Sequence, residues 1–290
     1  MITRKIFRIR LRKKTLVLGR RTLLMGVLNV TPDSFSDGGK FLDPSRAIGH
    51  ALALQQAGAD ILDIGAESTR PGSLGIHADE ELRRLLPVLQ GLRGRLKIPI
   101  SLDTRKSAVA EIAVGAGAQI LNDVSGLNYD PRLAEVAARR KVGLILMHMR
   151  GEPRTMQTAP FARDVVKDVT QGLRASIRKA HHAGVAKSQI ILDPGIGFGK
   201  SFQQNYELLA KLQQLARMGF PLLVGTSRKG FLGKTLTRNT TPAPPNERLW
   251  ATAATVTASI LGGAHIVRVH DVAEMLQVVR TADCLLHLGL

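Results

Sequence analysis

From residue 22 onward, short apolar runs alternate eight times with longer helical patterns, and no other feature of the chain restricts its fold as strongly. The runs are Leu23–Leu28, Ile61–Ile64, Ile98–Leu102, Ile120–Leu121, Val142–Met147, Ile190–Leu192, Leu222–Val224 and Ile266–Val269. Brief apolar runs are what strands buried on both faces look like. Between them the pattern predicts helices near 44–57, 78–92, 106–116, 131–140, 162–183, 203–217, 246–261 and 272–287. Asp43-Pro44-Ser45, Asp130-Pro131 and Asp271 are start signals. The phrases Ala57-Gly58-Ala59-Asp60, Ala116-Gly117-Ala118-Gln119 and Gly262-Gly263-Ala264-His265 each stop a helix with Gly and lead into a strand. Eight such units predict an α/β chain folded as a (β/α)₈ barrel, because an open doubly wound sheet does not need so many. No linker divides the units, so residues 1–290 read as a single domain, with Pro-rich Thr240–Pro245 a loop after the seventh strand.

The first 21 residues stand apart. They hold nine of the 41 Lys and Arg and no acid, in a chain of net charge +18. Phe7, Ile9 and Leu11 alternate with Arg8, Arg10 and Arg12, the period of a half-buried strand, and Lys13-Lys14 turns toward a second strand at Thr15–Leu18. A basic N-terminal β-hairpin over residues 1–21 is therefore expected, rather than a targeting peptide, which would need an apolar core or a helical pattern. Aromatic residues make up only 4% of the chain, too few for the stacking platforms of nucleic-acid grooves, so no specific nucleic-acid partner is expected. With 44% hydrophobic residues the chain is globular. No apolar run reaches the roughly 18–20 residues of a membrane span, and one cysteine, Cys284, permits no internal disulfide, which together suit the cytoplasm.

Barrel chemistry collects at the C-terminal ends of strands. Unusual polar residues follow seven of the eight runs. They are Asn29 through Gly39, including Asp37; Glu67-Ser68-Thr69-Arg70-Pro71-Gly72; Asp103-Thr104-Arg105-Lys106; Asn122-Asp123; Asp193 through Lys200; Thr226-Ser227-Arg228-Lys229; and Arg268-Val269-His270-Asp271. Each has a plainer reading. Asp103 or Thr104 serves equally as a helix cap, Asn122 and Asp123 as turn formers, and Lys229 and Arg268 as solvated charges. Their recurrence at one structural position is what the plain readings leave unexplained. Gly195–Ser201 imitates a phosphate loop but is one residue short of the required spacing. His148 has no neighbour at metal-ligand spacing and reads as a satisfied wall residue, while His181-His182 reads as surface.

The cluster divides by chemistry. Asp103, Asn122, Asp193 and Lys229 offer acceptors, an amide and a cation suited to a flat heterocycle with an amidine-like edge, such as a guanine or pterin. Asn29, Thr69, Arg70, Arg268 and His270, with Asp37 nearby, suit a diphosphate and a Mg²⁺ that keeps most of its waters. A heterocycle site beside a diphosphate site implies displacement of pyrophosphate, with stabilisation of the leaving group as the main catalytic effect.

These segments, taken in order from about residue 23 to 275, resemble the motif set of the dihydropteroate synthase family. The eleven-residue stretch Asn29–Gly39 is the most specific part of the resemblance. The resemblance implies a TIM barrel, commonly a homodimer. It also implies a Mg²⁺-dependent transferase of folate biosynthesis that condenses p-aminobenzoate with hydroxymethyl-dihydropterin diphosphate, and a target of sulfonamides. Carried over by position, it implies that Asp103, Asn122, Asp193 and Lys229 hold the pterin. Arg268 then packs over the ring and reaches the diphosphate, with His270 beside it and Asn29 on the metal. Thr69 and Arg70 contact the diphosphate and shape the p-aminobenzoate pocket together with Ser227 and Phe198, and Asp37 arrives when the first loop closes. Asp37, Arg70 and Arg268 are the expected catalytic residues. The chain departs from the family pattern at Ala66, where Gly is expected before Glu67, and in its basic hairpin, whose charge suggests attraction of anionic substrates. Two rival functions share the pterin edge. A corrinoid-linked methyltransferase has no use for the diphosphate loops, and a silent pterin-binding paralogue would bind without turnover.

Overall fold

A computed structural model describes residues 4–11, 14–31, 43–68, 72–152, 154–156, 163–237 and 239–288 of the chain. The strands are β1 (Phe7–Arg10), β2 (Thr15–Leu18), β3 (Leu23–Asn29), β4 (Ile61–Gly65), β5 (Ile100–Asp103), β6 (Ile120–Asp123), β7 (Gly143–Met147), β8 (Ile190–Asp193), β9 (Leu223–Val224) and β10 (Ile266–Val269). The helices are α1 (Pro44–Gln56), α2 (Ala78–Leu92), α3 (Ser107–Ala116), α4 (Arg132–Arg140), α5 (Val165–His182), α6 (Phe202–Ala210), α7 (Leu212–Ala216), α8 (Gly230–Thr235), α9 (Leu249–Leu261) and α10 (Val272–Leu288).

Strands β3 to β10 form one parallel sheet in the order β8-β7-β6-β5-β4-β3-β10-β9. A bridge between Leu192 and Leu222 joins its two edges, so the sheet closes into the expected (β/α)₈ TIM barrel. Outward residues such as Leu24, Leu62, Leu102, Leu121, Leu144, Leu192 and Val267 pack beneath the helices in one buried cluster. The helix starts follow local chemistry: Asp43 accepts from the Ser45 amide at 2.8 Å and Asp164 from the Lys167 amide at 3.0 Å. The pattern expected near 203–217 is two helices broken at Lys211, and α8 is too short to leave a periodic signal. Among the described residues no helix is long and apolar enough to cross a membrane.

The hairpin of β1 and β2 forms as its alternation predicts, with Ile9 opposite Leu16 and Phe7 opposite Leu18. Its apolar face floors the barrel. Ile9, Leu11 and Leu18 pack with Leu23, Met25, Ile61, Ile120, Ile145, Ile191, Leu223 and Ile266, the inward residues of the lower barrel. Arg4 latches this floor to α10, donating to Asp283 at 2.7 Å and to Thr22 at 2.9 Å. His265 accepts from the Leu222 amide through Nδ1, so its Nε2 proton points at the Lys5 carbonyl at 3.0 Å. Because this floor lies at the N-terminal ends of the strands, the charge of Arg8 and Arg10 does not line the polar mouth. Leu18 has no exposed surface, and Leu18→Ala is expected to cost about 2–5 kcal/mol of stability by urea unfolding, as cavity-forming substitutions do.

Candidate active site

The barrel lumen changes character halfway up. Inward residues alternate along each strand, and the register aligns them. Met25 pairs with Ile61 low in the barrel, while Asn29, Gly65, Asp103 and Asn122 stand side by side at the top of β3 to β6. Two residues above the apolar floor, Ile61 gives way to Asp63, Ile120 to Asn122, Ile191 to Asp193 and Ile266 to Arg268. The same two-residue period that built the floor thus points the polar residues into the mouth.

Asp63 is the hub of this layer. It is 0% exposed, and its Oδ2 accepts from Arg268 Nε at 2.7 Å and from Asn122 Nδ2 at 3.1 Å. Arg268 reaches on to Asp103 Oδ2 at 3.0 Å, so one guanidinium is held between two carboxylates. Among the described residues Asp63 Oδ1, Asn122 Oδ1 and the Ser101 Oγ beside them are buried and have no hydrogen-bond partner, leaving open acceptors in this layer. Burial pushes the Asp103 carboxyl up to about 7, against the opposing pull of Arg268. Burial likewise raises Asp193, whose Oδ1 accepts from the Gly195 amide at 2.7 Å, while Lys229, Lys200 and Arg268 hold it down.

Lys229 comes from the seventh strand–helix loop. Its Nζ donates to the Ile196 carbonyl at 2.7 Å and lies 3.9 Å from the centre of the Phe198 ring. Its stem crosses Gly197, where a Cβ would come within 2.7 Å of Lys229 Cδ. Burial draws the amine down to about 7, with Asp193 and Asp103 opposing. Ser227 and His270 meet each other, Oγ to Nδ1 at 3.0 Å, and burial depresses the imidazole to about 3, so it is neutral. Arg228 pairs with Asp271 through both carboxylate oxygens.

The structure therefore brings Asp103, Asn122, Asp193, Lys229 and Arg268 to one mouth, with Phe198 against Lys229 and the Ser227–His270 pair alongside. Asn29 ends β3 beside them. Asp37, Thr69 and Arg70 lie outside the described residues. The plainer reading holds for one neighbour: Asp123 is a turn former that accepts from the Ser125 and Leu127 amides. Thr104 accepts from the Lys106 amide but does not cap α3, whose N-cap is Lys106 without a side-chain cap bond. Ala66 is fully buried and its carbonyl accepts from Arg84, so its methyl group is accommodated.

Sequence reasoning missed Asp63, although the signal was present: a carboxylate inside the apolar run Ile61–Ile64. It also missed the support beneath the second loop. Lys106 Nζ bonds Glu67 at 2.9 Å and Glu81 at 2.5 Å, Arg105 reaches Glu67 at 3.1 Å, and Arg105 stacks 4.0 Å over the Tyr129 ring. Glu81 is wholly buried, and burial raises its pKa. Lys106→Met is expected to lose about 3–5 kcal/mol in denaturant titration, because it strands a buried carboxylate without its cation.

Comparison with known proteins places this geometry in a family. The family model described as "Pterin binding enzyme" matches residues 25–270. The dihydropteroate synthase of Synechocystis is 50% identical over 267 residues, covering 92% of this chain and 91% of that protein. The Yersinia pestis dihydropteroate synthase, solved with a sulfonamide drug, superposes with a TM-score of 0.89 at 40% identity, covering 97% of this chain and 100% of that one. The Xanthomonas albilineans dihydropteroate synthase, solved with 4-aminobenzoic acid, gives a TM-score of 0.89 at 39% identity, covering 97% and 99%.

Proposed function

The chain belongs to the dihydropteroate synthase family of pterin-binding enzymes, and we propose the following division of labour among its own residues. The enzyme is a transferase that joins p-aminobenzoate to hydroxymethyl-dihydropterin diphosphate, giving dihydropteroate and pyrophosphate. The observation that supports the site assignment best is the Asp63 hub. It fixes Arg268 across the mouth and leaves unmet acceptor oxygens on Asp63 and Asn122.

Asp193 and Asn122 accept from the amidine edge of the pterin, and Asp103 accepts beside them. Lys229 donates to the ring oxygen and neighbouring nitrogen, and Phe198 lies against its ammonium. Arg268 lies over the ring and faces the diphosphate, with His270 and Ser227 at its flank. The assignment extends to Asp37 in the first loop and to Thr69 and Arg70 in the second, at the diphosphate and the p-aminobenzoate pocket. The carbon–oxygen bond breaks first, its electron pair leaving with pyrophosphate, and the electron-rich dihydropterin carries the methylene cation. The aniline nitrogen then attacks that carbon and gives up one proton to solvent. The main contribution of the protein is charge stabilisation on the leaving group.

A divalent cation fits the donor set. Asn29 offers one amide oxygen at the rim, and among the described residues no group of three acidic, histidine or cysteine side chains forms a cage of its own. That suits a Mg²⁺ held mainly by the diphosphate and water, where it would neutralise phosphate charge. A homodimer is supported by the outer surface of α9 and α10, where Trp250 is 81% exposed and Leu285 also faces solvent. The free thiol of Cys284 suits a cytoplasmic setting.

Pyrophosphate release that requires both substrates and Mg²⁺ tests the reading. Methyl transfer without pyrophosphate would favour the corrinoid-linked rival, and pterin binding without turnover a silent paralogue. Asp193→Asn is expected to raise KM for the pterin diphosphate at least tenfold, whereas Arg268→Ala lowers kcat by about 10²–10³ in the same assay. Wild-type kinetics in either variant would remove that residue from the site. In sedimentation at micromolar concentration, the 31.4 kDa chain is expected at twice its mass, and Trp250→Glu at the monomer mass.

A further inference from the structure

Lys200 is 1% exposed, and none of its hydrogen bonds goes to a carboxylate. Its Nζ meets His148 Nδ1 at 3.0 Å, the His148 carbonyl at 2.7 Å and the Gly195 carbonyl at 2.9 Å. Three acceptors match the three donors of an ammonium, whereas a neutral amine has only two. His148 supports that state. With Nδ1 accepting, its proton sits on Nε2, which faces Asp168 Oδ2 at 3.4 Å. The ring also packs against α5 at Gly172, where a Cβ would lie 2.4 Å from His148 Cδ2. Asp168 is held in turn by Arg150, whose other arm donates to the Gly199 carbonyl at 3.1 Å.

Both ends of the loop Gly195–Gly199 are therefore tied to the segment leaving β7, one by Lys200 and the other by Arg150. The loop lies hard against that segment. At Gly195 (φ +65°) a Cβ would come within 2.0 Å of the His148 carbonyl oxygen, and at Gly199 (φ +63°) within 2.2 Å of that of Arg150. The same loop supplies the Gly195 amide to Asp193 and the Ile196 carbonyl to Lys229. A buried lysine without a carboxylate partner carries a desolvation cost that a hydrophobic residue would avoid, so its presence is not explained by stability.

We propose that Lys200 is a positioning residue for pterin recognition, its buried ammonium fastening the 195–199 loop so that Asp193 and Lys229 meet the ring in register. It also adds a third cation, with Lys229 and Arg268, to those facing Asp193, which favours the ionised carboxylate. Burial, helped by Lys229 and Arg150, draws the Lys200 amine well below its ordinary range; Asp193 and Asp168 oppose this, and the three acceptors around Nζ, with neutral His148 among them, favour the ammonium. This inference rests on the pterin reading above.

Fluorescence titration with 6-hydroxymethylpterin between pH 5.5 and 8.5, beside steady-state kinetics, tests it. Lys200→Met is expected to weaken pterin binding at least tenfold at pH 7.5 and to raise KM for the pterin diphosphate in step. KM for p-aminobenzoate should stay within twofold. The acid limb of pterin binding should move to higher pH, because Asp193 then faces two cations instead of three. His148→Ala keeps the ammonium and removes one acceptor, so a two- to fivefold loss with the acid limb unmoved is expected; this variant carries the test if Lys200→Met does not fold. Wild-type pterin affinity in the variant tested, or equal losses toward both substrates with an unmoved acid limb in Lys200→Met, would overturn the proposal. A wild-type protein that binds no pterin would instead overturn the functional reading on which it rests.

Discussion

A carboxylate with no solvent contact must find its cation and donors inside the protein, and Asp63 finds them in Arg268 and Asn122. The rest of the mouth follows from this one requirement. Arg268 is immobilised between Asp63 and Asp103, and Asn122 is turned so that its oxygen stays available. The arginine reaches across the lumen because β10 pairs with β3, and β4 carries Asp63 on the next strand round. The hub thus lies on the contiguous strands β10, β3, β4, β5 and β6, while closure at the Leu192–Leu222 seam brings the loop bearing Lys229 beside the loop that follows β8.

Two further buried charges sit in the loops around this hub, each solved differently. Lys106 is shared by two carboxylates under the second loop, a conventional pairing. Lys200 has only carbonyls and an imidazole, and it braces the loop after β8. Lys106 thus holds Glu67 and Glu81, and Lys200 the 195–199 loop, which keeps Asp193 and Lys229 oriented before any ligand arrives. Pre-set geometry of this kind spares the binding energy that ordering the loops would otherwise consume.

Much of this was legible in the chain. The eightfold alternation predicted the barrel, and the arginine-interrupted strand at residues 7–11 predicted the hairpin, because both depend only on hydrophobic periodicity. The polar residues at strand ends marked the mouth for the same reason. Asp63 escaped because a single acid inside an apolar run looks like a blemish until the strand's inward parity is known. Lys200 escaped because it follows a glycine-rich stretch that imitates a phosphate loop, and only the fold shows which carbonyls it meets. The break at Lys211 left no signal, since neither glycine nor proline marks it and nothing nearby explains it. Functional placement of the hairpin was also out of reach: its basic face suggested attraction of anions, yet the apolar face carries it to the end away from the mouth.

The Arg4–Asp283 latch joins positions 279 residues apart. Consequently the Arg4 segment must wait for α10, made much later, before its guanidinium is paired. Contacts of such long sequence separation form late, since closing so large a loop is entropically slow. A nascent chain short of α10 would hold its floor without that latch, with Ile61, Ile120 and Ile191 less securely covered until α10 is made.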